Sequence, residues 1–292
     1  MSASSASASG RHRTAVQTVV SIGQNSWLGG FLRGRVWKGS SKAVCVPGLN
    51  CYSCPGAWGA CPIGSLQAVF TRTADRVSLY VAGLIGLFGV LMGRLVCGWL
   101  CPFGLVQELL YRIHSRKVRI GPTRLRYLKY AVLAVLVIAL PILLRNGAGV
   151  GSPWYCKLVC PAGTLEAALP LLALDASLRS AAGWLFVWKL LVLAGTMLTS
   201  VFVYRPFCRF VCPLGAIYGL FNRFSWVQLS CDKGTCISCG RCARVCRMGV
   251  DPSRDPTSPE CIRCGDCVQV CPVDALRLGL PAPKRNGQPA RD

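Results

Sequence analysis

From Cys236 to Cys271 the chain reads CISCGRCARVC, a spacer, and then CIRCGDCVQVC. Each half has the form C-x2-C-x2-C-x3-C, and no other stretch limits the fold so tightly. Three cysteines on a tight loop can wrap three corners of a cubic [4Fe–4S] cluster. The fourth, three residues on at the start of a short helix, points toward a neighbouring cube. The spacing therefore predicts two clusters with crossed ligation. Cys236, Cys239, Cys242 and Cys271 would hold one, and Cys261, Cys264, Cys267 and Cys246 the other. Gly240 and Gly265 let the loop backbone approach the sulfides, where N–H groups offset the cluster's negative charge. Zinc ribbons also pair C-x2-C units, but they rarely add a third and fourth thiol at these offsets, twice over. The second run ends Cys271-Pro272, whereas the first ends Cys246-Arg247. Proline is not a ligand, so ligation survives its absence, and a cation beside that cluster would raise its potential.

Of the 292 residues, 52% are hydrophobic, and 33 basic against 11 acidic side chains leave a net charge of +22. A basic surplus alone would suit a nucleic-acid binder. Joined to this hydrophobicity, it argues instead for a membrane protein with Lys and Arg crowded into cytoplasmic loops, and for no nucleic-acid partner. Eight of the 19 cysteines sit in the two runs, whose clusters need a reducing compartment for assembly. The C-terminal part is therefore expected in the cytoplasm.

In chain order, residues 1–10 are Ser/Ala-rich and expected to be disordered. Residues 11–221 form the expected membrane domain. Its first segment, roughly Thr14 to Leu32 behind Arg11 and Arg13, either spans or lies in the interface. Val77–Val96 has the length of a hydrocarbon core. Tyr130–Leu144, extendable from Tyr127, and Trp184–Val203 follow, the last with Lys189 near its start. Snorkelling to the nearer face is the favoured reading of that lysine. The basic stretch Arg112 to Lys129 reads as a cytoplasmic loop, and Arg145 to Arg179 as an outside loop. Asn222–Asp232 would be a short linker opening the cluster-binding module at 222–280, and 281–292 a loose tail. The expected fold is thus mainly α: a membrane helical domain of about four helices with an internal duplication, followed by a small α+β two-cluster domain.

Four Cys-Pro-x-Gly units begin at Cys61, Cys101, Cys160 and Cys212. The second and fourth match further, each reading Arg, two residues, Cys, three residues, Cys-Pro-x-Gly, from Arg94 and from Arg205. Such a repeat points to a duplicated membrane domain. Proline after the second cysteine suits the first position of a new helix, and a helix N-terminus favours the thiolate. Cys97 and Cys101 could form half of a four-thiolate site, with Cys208 and Cys212 as the other half. Three readings stay open here: a further cluster, two redox-active disulfides, or thiols lining a quinone site. Small apolar cysteines packed at helix ends are the plainer alternative. The same choice covers Cys51, Cys54, Cys61, Cys156 and Cys160, with Cys45 near them. Arg94 and Arg205 read as cytoplasmic anchors. Cys231 has no assigned role.

Together these motifs resemble the membrane-bound polyferredoxins of the NapH/NosR kind, over about Cys45 to Leu278. The C-x3-C-P pairs at Cys97/Cys101 and Cys208/Cys212 match that pattern, as do the two C-terminal runs. The stretch CVPGLNCYSCPGAWGACPIGSLQ looks like a subgroup with extra N-terminal cysteines. The resemblance implies a few membrane helices and a bacterial-type ferredoxin domain with two [4Fe–4S] clusters. It implies a multi-pass protein of the inner (cytoplasmic) membrane, with that domain on the cytoplasmic side. Quinol oxidation follows from the likeness, with electrons passing between the quinone pool or a cytoplasmic donor and a partner reductase. An accessory role in maturing a metalloenzyme is the other function it allows. No nucleophile–base constellation occurs: His12 and His114 are the only histidines, and neither has a cysteine close in sequence.

Overall fold

The computed structural model describes residues 3–71, 79–121, 123–146, 150–180 and 182–280. The expected loose tail at 281–292 lies outside them. Among the described residues, the helices Ala3–Gln24, Leu79–Met92, Arg124–Leu143 and Trp184–Phe202 alternate with four others of 9 to 14 residues. Each of these others starts on the proline of a Cys-Pro unit: Pro62–Thr71, Pro102–Tyr111, Pro161–Leu174 and Pro213–Phe221. Cys101, Cys160 and Cys212 are extended N-cap residues. Proline suits the following position, because the first N–H of a helix has no intrahelical partner to lose.

Two other prolines sit inside helices and leave a visible mark. A π-helical stretch, Leu133–Ala139, runs up to Pro141, and another, Thr164–Ala168, up to Pro170. Proline removes an N–H and crowds the carbonyl four residues back. The wider π turn moves that carbonyl away and keeps the helix continuous.

Arg124–Leu143 and Trp184–Phe202 are long and apolar enough to cross a membrane; Leu79–Met92 and Pro161–Leu174 are apolar but shorter. Trp184–Phe202 buries only Leu193 and Ser200. Trp184, Leu191 and Leu198 stand 77%, 57% and 63% exposed. An apolar surface this continuous calls for a cover that the described residues do not supply.

Several boundaries differ from expectation. The span expected at Val77–Val96 ends at Met92, because Gly93 turns the chain at φ +51°. A Cβ there would also lie 2.6 Å from Asn222 Oδ1. The first helix runs Ala3–Gln24, with a separate Leu28–Arg33 turn beyond it. It therefore takes in most of the Ser/Ala-rich start expected to be disordered, where Ala3, Ala6 and Ala8 are strong helix formers. The stretch Arg145 to Arg179 is not an open loop, since it folds as Trp154–Leu158, Pro161–Leu174 and Ala176–Ser180. Asn222–Asp232 is not a loose linker either. Trp226 and Val227 donate to the carbonyls of Val90 and Leu91 at 2.8 and 3.1 Å.

The C-terminal module closes with two antiparallel strands, β1 (Gln228–Cys231) and β2 (Leu276–Gly279), with Leu229 opposite Leu278. Short helices Arg241–Val245 and Asp266–Gln269 follow its two cysteine loops. One hydrophobic core runs from Leu49 and Ile63 through Phe103, Tyr155 and Tyr218 to Met248, Val250 and Ile262. The module is therefore packed into the helical domain rather than hung from it.

Candidate metal centres

Both cysteine loops fold alike. Ser238 and Arg263, two residues after the first thiol of each run, have positive φ of 51° and 54°, and Gly240 and Gly265 follow at 67° and 85°. Left-handed residues in this alternation turn successive N–H groups inward, the concave backbone that suits an anion. Cys236, Cys239, Cys242 and Cys271 line one cavity. Cys246, Cys261, Cys264 and Cys267 line a second. The thiol of each C-x3-C end thus faces the other run's cavity, the crossed arrangement that the spacing predicts. Cys231 also lines the first cavity; burial and the neighbouring Cys236 push its thiol up to about 11. Burial, with Asp266 alongside, pushes Cys264 up to about 12. Both runs would suit [4Fe–4S] ligation as thiolates. Among the described residues, no group of three or more His, Cys, Asp or Glu is placed to hold a single metal ion.

Cys97 lies in the short helix Leu95–Trp99 and Cys101 caps the next helix; Cys208 and Cys212 occupy the same places in the second repeat. All four are buried. Cys97, Cys101 and Cys212 belong to one buried core, and Cys208 lies in the short helix just before Cys212, which brings the two halves of the group together. The repeats brace each other crosswise. Arg94 donates to the Cys208 carbonyl at 3.0 Å, and Arg205 donates to the Cys97 carbonyl. Both arginines are fully buried, which corrects their reading as membrane-face anchors. Gln107 donates to Cys208 Sγ at 3.1 Å and accepts from the Phe207 N–H at 3.2 Å.

Cys51, Cys61, Cys156 and Cys160 line a separate cavity, together with Lys189. That lysine is half-buried at the cavity wall. Cys54 does not join them: its thiol donates to Asn25 Oδ1 at 3.4 Å. Cys45 is buried beside its backbone bridge partner Ala60. His12 packs edge-on against Trp99, 6.1 Å between ring centres, and His114 is exposed.

The residues that sequence reasoning missed join these centres. Among the described residues three acids are buried, Glu108, Glu260 and Asp266, and the first two carry buried ion pairs. Glu260 takes Arg94 at 3.0 Å and Lys129 at 2.5 Å. Glu108 takes Arg205 at 2.7 Å and also Arg13, so Arg13 is a core residue rather than a flank of an apolar leader. Burial pushes the Glu108 carboxyl up, but the Arg205 and Arg13 charges outweigh it and hold the group below the usual range. Asn222 receives the Arg94 N–H and donates to the carbonyls of Ser258 and Cys261, each at 2.8 Å. Arg263 donates to the Met92 and Asn222 carbonyls at 2.9 and 2.7 Å. The loop carrying Cys261 and Cys264 is thereby clamped onto the segment carrying Cys97. A Cβ on Gly98 would lie 2.4 Å from the Ile262 carbonyl. The basic surplus hid this network, because the partners of these acids lie far away in sequence.

Comparison with known proteins agrees with this layout. A model described as a 4Fe-4S binding domain matches residues 76–121 and 184–228, the two repeats carrying Cys97/Cys101 and Cys208/Cys212. A second 4Fe-4S binding domain model matches residues 259–277, the second cysteine loop. The methylamine utilization ferredoxin-type protein MauN of Methylobacillus flagellatus is 29% identical over 63% of this chain and 60% of its own length. The regulatory protein NosR of Stutzerimonas stutzeri is 31% identical over 54% of this chain and 21% of its own length. The putative electron transport protein YccM of Escherichia coli is 25% identical over 61% and 48%. The chain therefore spans well under two thirds of these relatives' length. No solved structure matches it. The chain thus carries 4Fe-4S binding domains and is similar over part of its length to ferredoxin-type and electron-transport proteins, which supports a polyferredoxin of the NapH/NosR type.

Proposed function

We propose that the protein is a multi-pass inner-membrane electron carrier with its ferredoxin module on the cytoplasmic side. It would pass electrons between the quinone pool or a cytoplasmic donor and a partner reductase. Bound [4Fe–4S] clusters supply one-electron storage and transfer. Cys236, Cys239, Cys242 and Cys271 would hold one, Cys246, Cys261, Cys264 and Cys267 a second, and Cys97, Cys101, Cys208 and Cys212 a third. The rest of the task falls to the chain: exclude water, fix the thiols, and keep the centres adjacent.

One observation carries this reading, the contact of Ile262 with Gly98. It joins the loop of Cys261 and Cys264 to the helix of Cys97 with no solvent layer between, since Ile262, Cys97 and Cys101 share one buried core. The unburied apolar face of Trp184–Phe202 supports the bilayer. Arg112, Arg116, Lys117 and Arg119 precede the Arg124–Leu143 helix, and Arg119 donates to the Arg244 carbonyl of the ferredoxin module at 2.7 Å. Basic loop and module therefore lie together, and the positive-inside rule supports a cytoplasmic placement for both.

The test is reduction in proteoliposomes given menaquinol or ubiquinol, followed by EPR. Cluster signals that appear with quinol support the quinone pool as donor. Signals that need a soluble low-potential donor move the electron entry to the cytoplasm. Spectra unchanged by either would reject electron transfer and favour the accessory role.

A further inference from the structure

Cys51, Cys61, Cys156 and Cys160 line one cavity, and all four lie outside the stretches matched by the 4Fe-4S binding domain models. We propose that this cavity is a further iron–sulfur site, ligated by those four thiolates. The proposal rests on the electron-transport reading above but is tested apart from it.

This group and the Cys97–Cys212 group are structurally equivalent. In both, two thiols cap the helices of Cys-Pro units: Cys101 and Cys212 in one, Cys61 and Cys160 in the other. In both, a third thiol lies in a short helix four residues before one cap. Cys208 precedes Cys212 in Pro206–Phe210, and Cys156 precedes Cys160 in Trp154–Leu158. The amide that serves this third thiol is repeated as well. Gln107, six residues after Cys101, donates to Cys208 Sγ and receives the Phe207 N–H. Gln67, six residues after Cys61, donates to Cys156 Sγ at 3.2 Å and receives the Tyr155 N–H at 3.1 Å. Hydrogen bonds to ligand sulfurs are one of the levers that set a cluster's potential. A buried glutamine aimed at a thiol in the same way twice is hard to explain by packing alone.

The fourth thiol shows why the spacing differs. Cys97 stands four residues before its cap, but nothing stands four before Cys61, where Ala57 occurs. Cys51 takes the place instead, delivered by the loop that follows Asn50. Glu166 holds that loop by accepting the Cys51 N–H at 2.6 Å. A Cβ on Gly163 would lie 3.6 Å from Cys51 Sγ and 3.9 Å from Cys160 Sγ, so both thiols face one point beside the Pro161–Leu174 helix. The cavity that the four share measures about 310 Å³. Helix N-termini at Cys61 and Cys160 place positive dipole ends against a group that four thiolates make anionic, and Lys189 adds a full charge. Tyr155, fully buried, belongs to the same core as Cys61 and Cys160 of this group and Cys97, Cys101 and Cys212 of the other. The sites are thus near neighbours in one core.

The experiment counts iron and acid-labile sulfide in the full chain, purified anaerobically in detergent. The wild type should hold about sixteen irons if all four centres are [4Fe–4S], or about fourteen if this one is [2Fe–2S]. Cys51→Ser/Cys160→Ser should lose only that increment, and the ferredoxin EPR signals should remain. Gln67→Leu keeps every ligand, and it should shift the midpoint potential of one cluster while the iron count stays. Equal iron in wild type and the double variant, or alkylation showing Cys51, Cys61, Cys156 and Cys160 paired as disulfides, would overturn the proposal. The electron-transport reading would survive that result, since it requires only the ferredoxin centres and the Cys97–Cys212 group. Should the double variant lose all iron through misfolding, Gln67→Leu decides: an unshifted potential for every cluster rejects the site.

Discussion

Asn222 has no free polar atom on its side chain: Oδ1 receives the Arg94 N–H, and Nδ2 reaches both Ser258 and Cys261. Its carbonyl takes Arg263. One buried amide thus ties a turn of the helical domain to a cysteine loop. Asn222→Ala should cost about 1–3 kcal/mol for each buried partner left unsatisfied. Thermal release of the ferredoxin signals at a lower temperature than in wild type would register it. Glu108 is a similar single point of failure. Replacing it leaves Arg13 and Arg205 buried without a counter-charge, so Glu108→Gln should cost about 3–5 kcal/mol. Its folded pKa is held below the unfolded value, because Arg205 and Arg13 outweigh the burial penalty. The stabilisation is therefore complete above the unfolded carboxylate pKa of about 4.3 and fades as pH falls through the lower folded value. Tm measured from pH 7 down to pH 3 should drop more steeply in wild type than in Glu108→Gln. Parallel curves would remove Glu108 from this role.

At the scale of elements, the two cysteine loops make a sharp prediction about which cluster each thiol serves. Cys271→Ser should perturb the cluster of the first run and Cys246→Ser that of the second, read from which EPR signal changes. Perturbation confined to the mutated run would refute crossed ligation. Gly98→Val tests the docking of these loops. It should leave the iron content unchanged while slowing reduction of the membrane centre through the module, because its side chain would push against the Ile262 carbonyl. The cysteine loops and Cys-Pro caps were legible in the sequence, since their chemistry depends on spacing along a few residues. The Trp184–Phe202 helix was legible because a continuous apolar run has few other uses. The braces were not: Arg94 with Cys208 and Arg205 with Cys97 join residues more than a hundred positions apart, and local pattern carries no trace of such pairs. Gln67 and Gln107 left a faint trace, six residues after their cysteines, which only the structure made meaningful. The choice of Cys51 over Cys54 also required the fold, because both sit in one short loop.

For the whole molecule, a single buried core places the module's second loop against the Cys97–Cys212 group. The internal repeat gives that group its approximate twofold form, each half bracing the other's thiol segment. The account requires that iron occupy this group as well as the ferredoxin loops. The most direct measurement is iron and acid-labile sulfide per chain in wild type and in a variant with Cys97, Cys101, Cys208 and Cys212 all changed to serine. The account predicts a loss of about four irons with both ferredoxin signals retained. Identical iron in the two proteins would contradict it.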